Sequence, residues 1–397
     1  MKKNELYILT TAFLLSLLLF LIATKEGLLL THDSRAYLKL AQNNTFPNLI
    51  NAVWMPLYPF LLSFGKVFGE DNILSFAKIF HLICLLGIIA QTFFITKKCI
   101  KTPILRYFVL FMVIFSVGNL QNAVFLWSES FFVVILLFSF ILLNQEKISN
   151  KTIFFLIILS VLLCFQRLAG IFFVGLFLVI ILFKELKKIK KDEIILDLVI
   201  KINKIMLKAI IYLFCCMSVI LLWFFLKERY QDTPQLAQNL ILGDFFANIS
   251  SCFVVMGEWF LPNFLLNFLP DSAKIMVAFS LILGMVGTMI IVDIKTHNKL
   301  IFSILILVFG YISGICFLAL NIPSETDRYI SVIQILFFVG LGASLDFFWE
   351  KINLVCKRIL LVLMILTLSY NIIRTSKNAL FWAETNQRLE GLKLSKS

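Results

Sequence analysis

Residues 7–24 read YILTTAFLLSLLLFLIAT, an apolar run close to the roughly 20 residues that a helix needs to cross a bilayer core of about 30 Å. Similar runs recur along the chain, at about 74–96, 104–118, 124–143, 152–166, 169–183, 206–226, 274–293, 299–320, 329–348 and 358–373. The sequence therefore predicts an all-α polytopic membrane protein with about 11 transmembrane helices.

The composition of the whole chain agrees with this pattern. Of its 397 residues, 60% are hydrophobic and 15% are charged, whereas a soluble domain is roughly 45–50% apolar. This excess of apolar side chains excludes a soluble globular protein, because one water-facing domain could not bury them. The net charge of +13 would suggest nucleic acid in a soluble protein. In a membrane protein it sets topology instead, so we expect no nucleic-acid partner.

The distribution of lysine and arginine predicts the orientation. Basic residues are concentrated on the side of the N-terminus, above all in KELKKIKK at residues 184–191, a run that would also attract anionic headgroups. The positive-inside rule then predicts a plasma (inner) membrane protein with a cytoplasmic N-terminus and a first run retained as a helix. Two long loops, about 25–73 and 227–273, fall outside. We interpret residues 1–373 as one transmembrane domain and 374–397 as a polar C-terminal tail.

Several functions are disfavoured by what the loops contain. No inner loop has room for a nucleotide-binding Rossmann unit, and Phe60 stands where a Walker A motif ending at Gly65-Lys66 would begin with glycine. ATP-driven transport and direct use of a nucleotide sugar are therefore not expected. The eight cysteines form no C-x-x-C pair and lie mostly in apolar runs. The sequence predicts no metal site and assigns no cofactor, although it does not exclude a divalent cation.

The first outer loop begins with THDSRAYLKLAQ at residues 31–42, whose apolar positions repeat at helical spacing. This pattern predicts an amphipathic helix lying along the outer surface. Asp33 or Ser34 fits its N-cap, which is an ordinary structural role for these residues. In WMPLYPFLL at residues 54–62 the prolines end one helix and begin another, with Trp54 and Tyr58 at interfacial depth. A later aromatic-rich stretch, 238–271, predicts further interfacial helices that cover a cavity.

Ionisable side chains lie in or beside four of the apolar runs. Lys78 and His81 share a face of the second predicted span, and Glu129 lies between two serines near the start of the fourth. Arg167 separates two runs. Such groups are costly in hydrocarbon and mark candidate functional sites, although snorkelling or a hydrogen-bonded structural role would also explain them.

Four short motifs together resemble membrane glycosyltransferases of the GT-C fold. They are an acidic residue just past the first span (Asp33), a tyrosine four residues on (Tyr37), MPLYP at residues 55–59, and Asp-Arg-Tyr at residues 327–329. The nearest likeness is to the group that includes protein O-mannosyltransferases and lipid A aminoarabinose transferases. This resemblance implies transfer of a sugar from a polyprenyl-phosphate donor to a cell-envelope acceptor, which is a glycan, lipid or protein, on the outer face.

The resemblance also implies roles for individual residues. Asp33 matches the family's candidate base, which would deprotonate the acceptor hydroxyl. Relatives often carry a second acidic residue beside it, but this chain does not, so a paired-carboxylate metal site is not expected. Arg328 and Arg167 match basic residues of the family and, with the outer-side Lys78 and Arg35, are candidate ligands of the donor phosphate. The candidate contacts to sugar or lipid are Tyr37, Trp54, Tyr58, Glu129 and Tyr329. Glu129 is assigned to the wall of the cavity, where it would orient Arg35, Lys78 or Arg167.

Two other functional classes are open from sequence. A multispan transporter or lipid flippase would place its charges near the bilayer midplane, often at broken helices, and would often show internal repeats. The charged candidates here lie near the outer edge, and the two halves show no repeat. A polysaccharide polymerase or ligase would usually concentrate arginines in one large late outer loop, and the outer loops here contain few.

Overall fold

The computed structural model describes residues 3–51, 54–69, 72–187, 195–230, 242–296, 298–318 and 326–385. Within these ranges nearly all regular structure is helical, and β pairing is limited to one isolated bridge. The helices of the first part are α1 (Lys3–Ala23), α2 (His32–Gln42), α3 (Phe46–Asn51), α4 (Leu57–Ser63), a 3₁₀ turn (Phe64–Phe68), α5 (Ile73–Cys99), α6 (Pro103–Ile114), α7 (Val117–Val124) and α8 (Glu129–Leu143).

The second part of the bundle is also helical. Its elements are α9 (Asn150–Gln166), α10 (Gly170–Leu186), α11 (Ile195–Tyr230), α12 (Leu242–Glu258), α13 (Asn263–Asn267), α14 (Asp271–Thr296), α15 (Lys299–Leu318), α16 (Thr326–Trp349) and α17 (Leu354–Glu384).

The number of membrane spans can be compared with the predicted eleven. By length and composition, seven described helices can cross a membrane, namely α1, α5, α11 and α14 to α17. The pair α6 and α7, bent by 42°, would make an eighth. Every predicted segment overlaps a helix, but α8 and α9 have only 15 and 17 residues. The chain is a multi-pass membrane protein, and the count of eleven stays a prediction.

α16 forms the centre of the bundle. In the most apolar stretch of α16, 83% of the residues are buried, against 11% for the corresponding stretch of α17. α16 is therefore enclosed by protein rather than lipid. It packs against α5, α6, α7, α8, α12, α14 and α15. A helix that is apolar on every side is suited to such a position. The polar first turn of α16, which contains Arg328, is consequently fixed in the interior of one end of the bundle.

The amphipathic helix predicted after the first span is present as α2, but its cap differs from the expectation. The N-cap is Thr31, in extended backbone conformation, rather than Asp33 or Ser34. Ser34 closes a capping box, because its Oγ accepts a hydrogen bond from the Thr31 backbone N–H at 2.9 Å. Asp33 is therefore the second residue of the helix, and Thr31 takes the capping role that was predicted for Asp33 or Ser34.

A short backbone bridge brings the start of α2 to the start of α8. The Leu29 N–H donates to the Val124 carbonyl at 3.0 Å, and the Leu126 N–H donates to the Leu29 carbonyl at 2.9 Å. The Ser34 hydroxyl adds a bond to the Leu126 carbonyl at 3.0 Å. Asp33 closely follows Leu29 in the chain, and Glu129 closely follows Leu126. The bridge therefore brings the two carboxylates to the same end of the bundle.

The predicted later outer loop and tail are partly packed into the bundle. α12 packs against α14 and α16, and Trp259 lies against the rings of Phe337 and Phe338 at centroid distances of 5.9 and 5.6 Å. α17 continues to Glu384 and buries Trp382, so the first part of the predicted tail is helical. Part of the later loop (231–241) and residues 386–397 lie outside the described residues.

Gly170 begins α10 at a close approach to the preceding helix. A Cβ placed there would clash with both the carbonyl carbon and the oxygen of Leu163. We expect Gly170→Ala to destabilise the protein by about 1–3 kcal/mol because backbone must move to admit the methyl group. Thermal unfolding of the purified chain in detergent would measure this change.

Gly175→Ala is the matched control for this substitution. Gly175 is exposed on the same helix, and a Cβ there meets nothing within 4 Å. We expect its melting temperature to stay the same or rise slightly, since alanine is the better helix former. Equal melting temperatures for the two variants would contradict the close approach at Gly170.

Candidate active site

The site is built around the carboxylate of Glu129, which is fully buried in the first turn of α8. Two arginines reach it from other helices. Arg167, the C-cap residue of α9, places Nη1 against Oε1, and Arg328, in the first turn of α16, donates to the same oxygen through Nε. A buried carboxylate without a counter-charge costs several kcal/mol. The two guanidinium groups therefore account for its burial.

Arg328 is shared between this buried carboxylate and Asp33. Its Nη1 donates to Asp33 Oδ2 at 2.6 Å. The side chain of Asp33 is 16% exposed, whereas that of Glu129 is 0% exposed. We call Asp33, Glu129, Arg167 and Arg328 the ion network. It contains two carboxylates and two guanidinium groups, and Asp33 is the carboxylate that a substrate can reach.

Aromatic rings support both arginines from the side. The guanidinium carbon of Arg328 lies 4.5 Å from the centroid of the Trp127 ring, and that of Arg167 lies 5.1 Å from the centroid of the Tyr329 ring. These are favourable cation–π distances. Trp127 Nε1 donates to Thr31 Oγ1 at 3.0 Å, which joins its segment to the start of α2. The sequence did not single out Trp127, and its place two residues before Glu129 was the available signal.

A cleft of about 350 Å³ opens beside the network. Its volume lies in the range of roughly 300–1,000 Å³ that is usual for small-molecule sites. Among the described residues, no group of three or more His, Cys, Asp or Glu side chains is arranged to hold a metal ion. The cleft is lined by Thr31, His32, Asp33, Gln121, Phe125, Trp127, Asp327 and Arg328.

The predicted aromatic contacts of the first loop form a packed layer beside α2. The Tyr37 ring lies 5.6 Å from Trp54 and 4.9 Å from Tyr58 between centroids. The Tyr58 hydroxyl lies 2.6 Å from His81 Nε2, so His81 is paired with a tyrosine. Burial raises the pKa of Tyr37 to about 12 and that of Tyr58 well above its usual value, so both stay neutral at ordinary pH. Sugar contact by these residues stays a prediction.

The other two candidate phosphate ligands lie away from the cleft lining. Lys78 Nζ donates to the Thr24 carbonyl at 2.6 Å, at the end of α1. Arg35 is exposed on α2. In the part of the chain that the structure describes, neither residue lines the cleft. Arg167 does not line the described cleft either, but the structure brings it together with Asp33, Glu129 and Arg328 from the predicted set. A phosphate role stays a prediction for all four cations.

Three solved structures resemble the fold. The oligosaccharyltransferase of Archaeoglobus fulgidus, in complex with Zn and sulfate, has a TM-score of 0.56 and 11% identity over 94% of this chain and 53% of its own. AglB from the same organism, in complex with an inhibitory peptide and a dolichol-phosphate, has a TM-score of 0.54 and 12% identity. The match covers 96% of this chain and 56% of AglB. ArnT from Cupriavidus metallidurans, bound to undecaprenyl phosphate, has a TM-score of 0.57 and 10% identity. The match covers 96% of this chain and 77% of ArnT.

These similarities confirm the GT-C fold that the short motifs predicted. The chain spans about half the length of the archaeal oligosaccharyltransferases. No protein-family model matches the chain, and no curated protein sequence does. At 10–12% identity the likeness shows the fold alone, so the activity has to follow from the site.

Glu129→Gln tests the arrangement of two arginines on one buried carboxylate. The substitution keeps the size of the side chain but removes its negative charge, which leaves two buried guanidinium groups without that counter-charge. We expect a loss of about 3–5 kcal/mol of stability, because breaking a buried ion pair on one side is strongly destabilising. Thermal unfolding in detergent would measure it.

Glu350→Gln provides the comparison for Glu129→Gln. Glu350 follows α16 and is exposed, so the same chemical change there should leave the melting temperature unchanged. If the two variants unfolded at the same temperature, Glu129 would not hold the two arginines as described.

Proposed function

We propose that this protein is a membrane glycosyltransferase that moves a sugar from a polyprenyl-phosphate donor to a cell-envelope acceptor on the outer face of the membrane. The main support is Arg328, which is shared between Asp33 at the cleft and the buried Glu129. In this proposal the exposed carboxylate is the base and the guanidinium group bonded to it is the phosphate ligand. The fold agrees, since one neighbour was solved with dolichol-phosphate and another with undecaprenyl phosphate.

In this proposal Asp33 is the general base. The acceptor hydroxyl oxygen attacks the anomeric carbon of the donor sugar, and its proton passes to the Asp33 carboxylate. The bond between the anomeric carbon and the phosphate oxygen breaks, and its electron pair leaves with the polyprenyl phosphate. Attack from the face opposite the leaving group inverts the anomeric centre. Glu129 is unsuited to this role because it has no exposed surface.

Arg328 is the proposed ligand of the departing phosphate. It lines the same cleft as Asp33, and the planar fork of a guanidinium group matches two phosphate oxygens. The phosphate gains one negative charge as the glycosidic bond breaks. Asp33 loses its negative charge at the same stage by accepting the proton. The positive charge of Arg328 is then less neutralised by Asp33 and more available to the phosphate.

Glu129 acts as a positioning residue in this scheme. The sequence assigned it a contact to sugar or lipid, but its burial against Arg167 and Arg328 favours a role in fixing these two side chains. Arg167 contacts the same carboxylate oxygen as Arg328 and so helps to hold Glu129 in place. Tyr329 and Trp127, whose rings face the arginines, restrict the guanidinium planes.

The position of the network favours an enzyme over a transporter. Glu129 and Arg328 lie in the first turns of their helices, and Arg167 lies at the end of α9. The charges are thus at one end of the bundle, whereas transporter sites lie near the bilayer midplane. The positive-inside pattern makes this end the outer one, which is where a polyprenyl-phosphate donor would be used.

Asp33→Asn tests the assignment of the base. The asparagine keeps the side-chain volume and a hydrogen-bonding oxygen but cannot accept the proton. We expect transfer from a polyprenyl-phosphate sugar to fall about 10²–10⁴-fold. The assay would use purified protein and a panel of polyprenyl-phosphate monosaccharides, with size-exclusion elution and melting temperature as checks of folding.

Asp327→Asn is the matched control, because Asp327 lines the same cleft and precedes Arg328 directly. We expect this variant to retain most of its transfer activity. Full activity in Asp33→Asn together with loss in Asp327→Asn would assign the base to Asp327 instead.

Arg328→Lys tests the phosphate ligand separately from the base. Lysine keeps the positive charge but lacks the planar fork that engages two oxygens. We expect the KM for the donor to rise about tenfold or more, with a smaller change in the KM for the acceptor. Arg358→Lys makes the same change at an exposed position of α17 and should leave both constants unchanged. An unchanged donor KM in Arg328→Lys would reject the phosphate role.

A further inference from the structure

The side chain of Gln121 lines the cleft beside the ion network, although the proposed base and phosphate ligand are other residues. Gln121 is half-buried on α7. Within the described part of the chain, its side-chain amide makes no hydrogen bond to protein. An amide group has two donors and an acceptor, so this one is available to a bound ligand.

Several other polar groups of the cleft are already paired with protein. Asp33 and Arg328 bond to each other, and Thr31 Oγ1 accepts a hydrogen bond from Trp127 Nε1 at 3.0 Å. Gln121 differs from these groups, because its hydrogen-bonding capacity is not used by the described residues around it.

The other two polar side chains of the lining, His32 and Asp327, are exposed. A ligand that bonds to an exposed group exchanges one hydrogen bond with water for another, so the net gain is small. A half-buried amide is less accessible to bulk water, and leaving it unpaired beside a bound ligand costs more free energy. Gln121 is therefore the polar lining group best suited to distinguish one ligand from another.

Contacts between α7 and α16 fix Gln121 relative to Arg328. Asn122 Nδ2 donates to Ser331 Oγ at 2.9 Å, and Ser331 Oγ donates to the Arg328 carbonyl at 2.7 Å. Gly118 allows the close approach of the helices, because a Cβ there would lie 2.9 Å from Ser331 Cβ. Gln121 is thus attached, through its neighbour Asn122, to the turn of α16 that carries the proposed phosphate ligand.

An aromatic ring accompanies Gln121 along the wall of the cleft. Phe125, the C-cap residue of α7, follows it by four residues, about one helical turn, and lines the same cleft. The Phe125 ring is stacked on that of Trp127 at a centroid distance of 4.5 Å. Ligand sites typically combine aromatic walls with a few polar groups that fix the orientation of the ligand. Phe125 and Trp127 provide such a wall, with Gln121 as the polar group beside it.

A small chamber of about 30 Å³ adjoins the cleft at Gln121. Gln121 and Asp327 line both cavities. The chamber has room for about one or two water molecules, so a sugar cannot enter it. The amide of Gln121 can therefore bond to water on the chamber side and to a substrate group on the cleft side.

We propose that Gln121 binds a hydroxyl group of the transferred sugar and thereby selects which sugar the enzyme accepts, an inference that rests on the proposed glycosyltransferase function. The sugar is bonded to the phosphate, so a phosphate held by Arg328 brings the sugar into the cleft that Gln121 and Phe125 line. The acceptor approaches Asp33, on α2, instead. A neutral amide suits a neutral hydroxyl, from which it accepts through Oε1 or to which it donates through Nε2.

A donor that lacks this hydroxyl would leave the amide of Gln121 unpaired in the occupied cleft. Sites that hydrogen-bond to a substrate hydroxyl discriminate against analogues without it for this reason. One such bond corresponds to about tenfold or more in kcat/KM. The measurable consequence of removing the amide is a loss of sugar discrimination, which is distinct from a general loss of activity.

The experiment measures kcat/KM of the purified full chain with the polyprenyl-phosphate monosaccharide that the wild type transfers best, and with analogues that each lack one ring hydroxyl. Gln121→Met removes the amide at nearly constant side-chain length. Gln42→Met is the matched control, since Gln42 is exposed on α2 and is not part of the described cleft lining. Melting temperature and size-exclusion elution check that both variants fold.

We expect the wild type and Gln42→Met to transfer one of the monodeoxy sugars about tenfold or more less efficiently than the parent sugar. Gln121→Met should transfer the parent sugar with a similar loss, and should lose no further activity with that analogue. A residue that only supports the fold would lower all activities alike and keep the wild-type preference.

Wild-type discrimination retained in Gln121→Met would overturn the assignment of Gln121 while leaving the proposed glycosyl transfer intact. A wild type that transfers every monodeoxy analogue as well as the parent sugar would also overturn it, and this measurement needs no variant. Failure of the wild type to transfer any sugar of the panel would instead reject the proposed function, and with it the role of Gln121.

Discussion

A carboxylate removed from water must be matched by positive charge, and Glu129 is matched twice, by Arg167 and Arg328. Each of the three side chains belongs to a different part of the bundle: the start of α8, the end of α9 and the start of α16. These helix ends cannot slide past one another without exposing or orphaning a buried charge. The register of the central helix with its neighbours, and with it the shape of the cleft, therefore depends on this contact.

Burial separates the roles of the two carboxylates that share Arg328. Glu129 has no exposed surface from which it could take a proton from a substrate, so in the proposed reaction its part is to hold the arginines. Asp33 reaches the cleft because Thr31 caps α2 in its place and the Leu29 bridge holds the loop against the start of α8. Glu129 is thus enclosed and Asp33 is partly exposed at the cleft, although both are bound to the guanidinium group of Arg328.

The sequence predicted the helices well because an apolar run forms a helix whichever way it packs, and every predicted segment overlaps one. It also singled out Glu129 and Arg167, since an ionisable side chain beside an apolar run is costly. It named Arg167 among three cations that Glu129 would orient, but it could not choose between them or predict Arg328 as a second partner, because these pairings depend on how distant helices pack. The cap at Thr31 was missed for a local reason: neighbouring Thr, Asp and Ser side chains all suit a cap, and backbone geometry chooses between them.

The two ends of the bundle differ in the numbers of basic and acidic side chains that lie together. At the inner end predicted by the positive-inside rule, the described residues that line a cavity include three lysines and one glutamate, whereas the ion network pairs two arginines with two carboxylates. In the proposed reaction this balance favours turnover. Arg328 interacts more strongly with the phosphate while Asp33 is protonated. Once Asp33 loses its proton it again competes for Arg328, which weakens the hold on the product phosphate and allows it to leave.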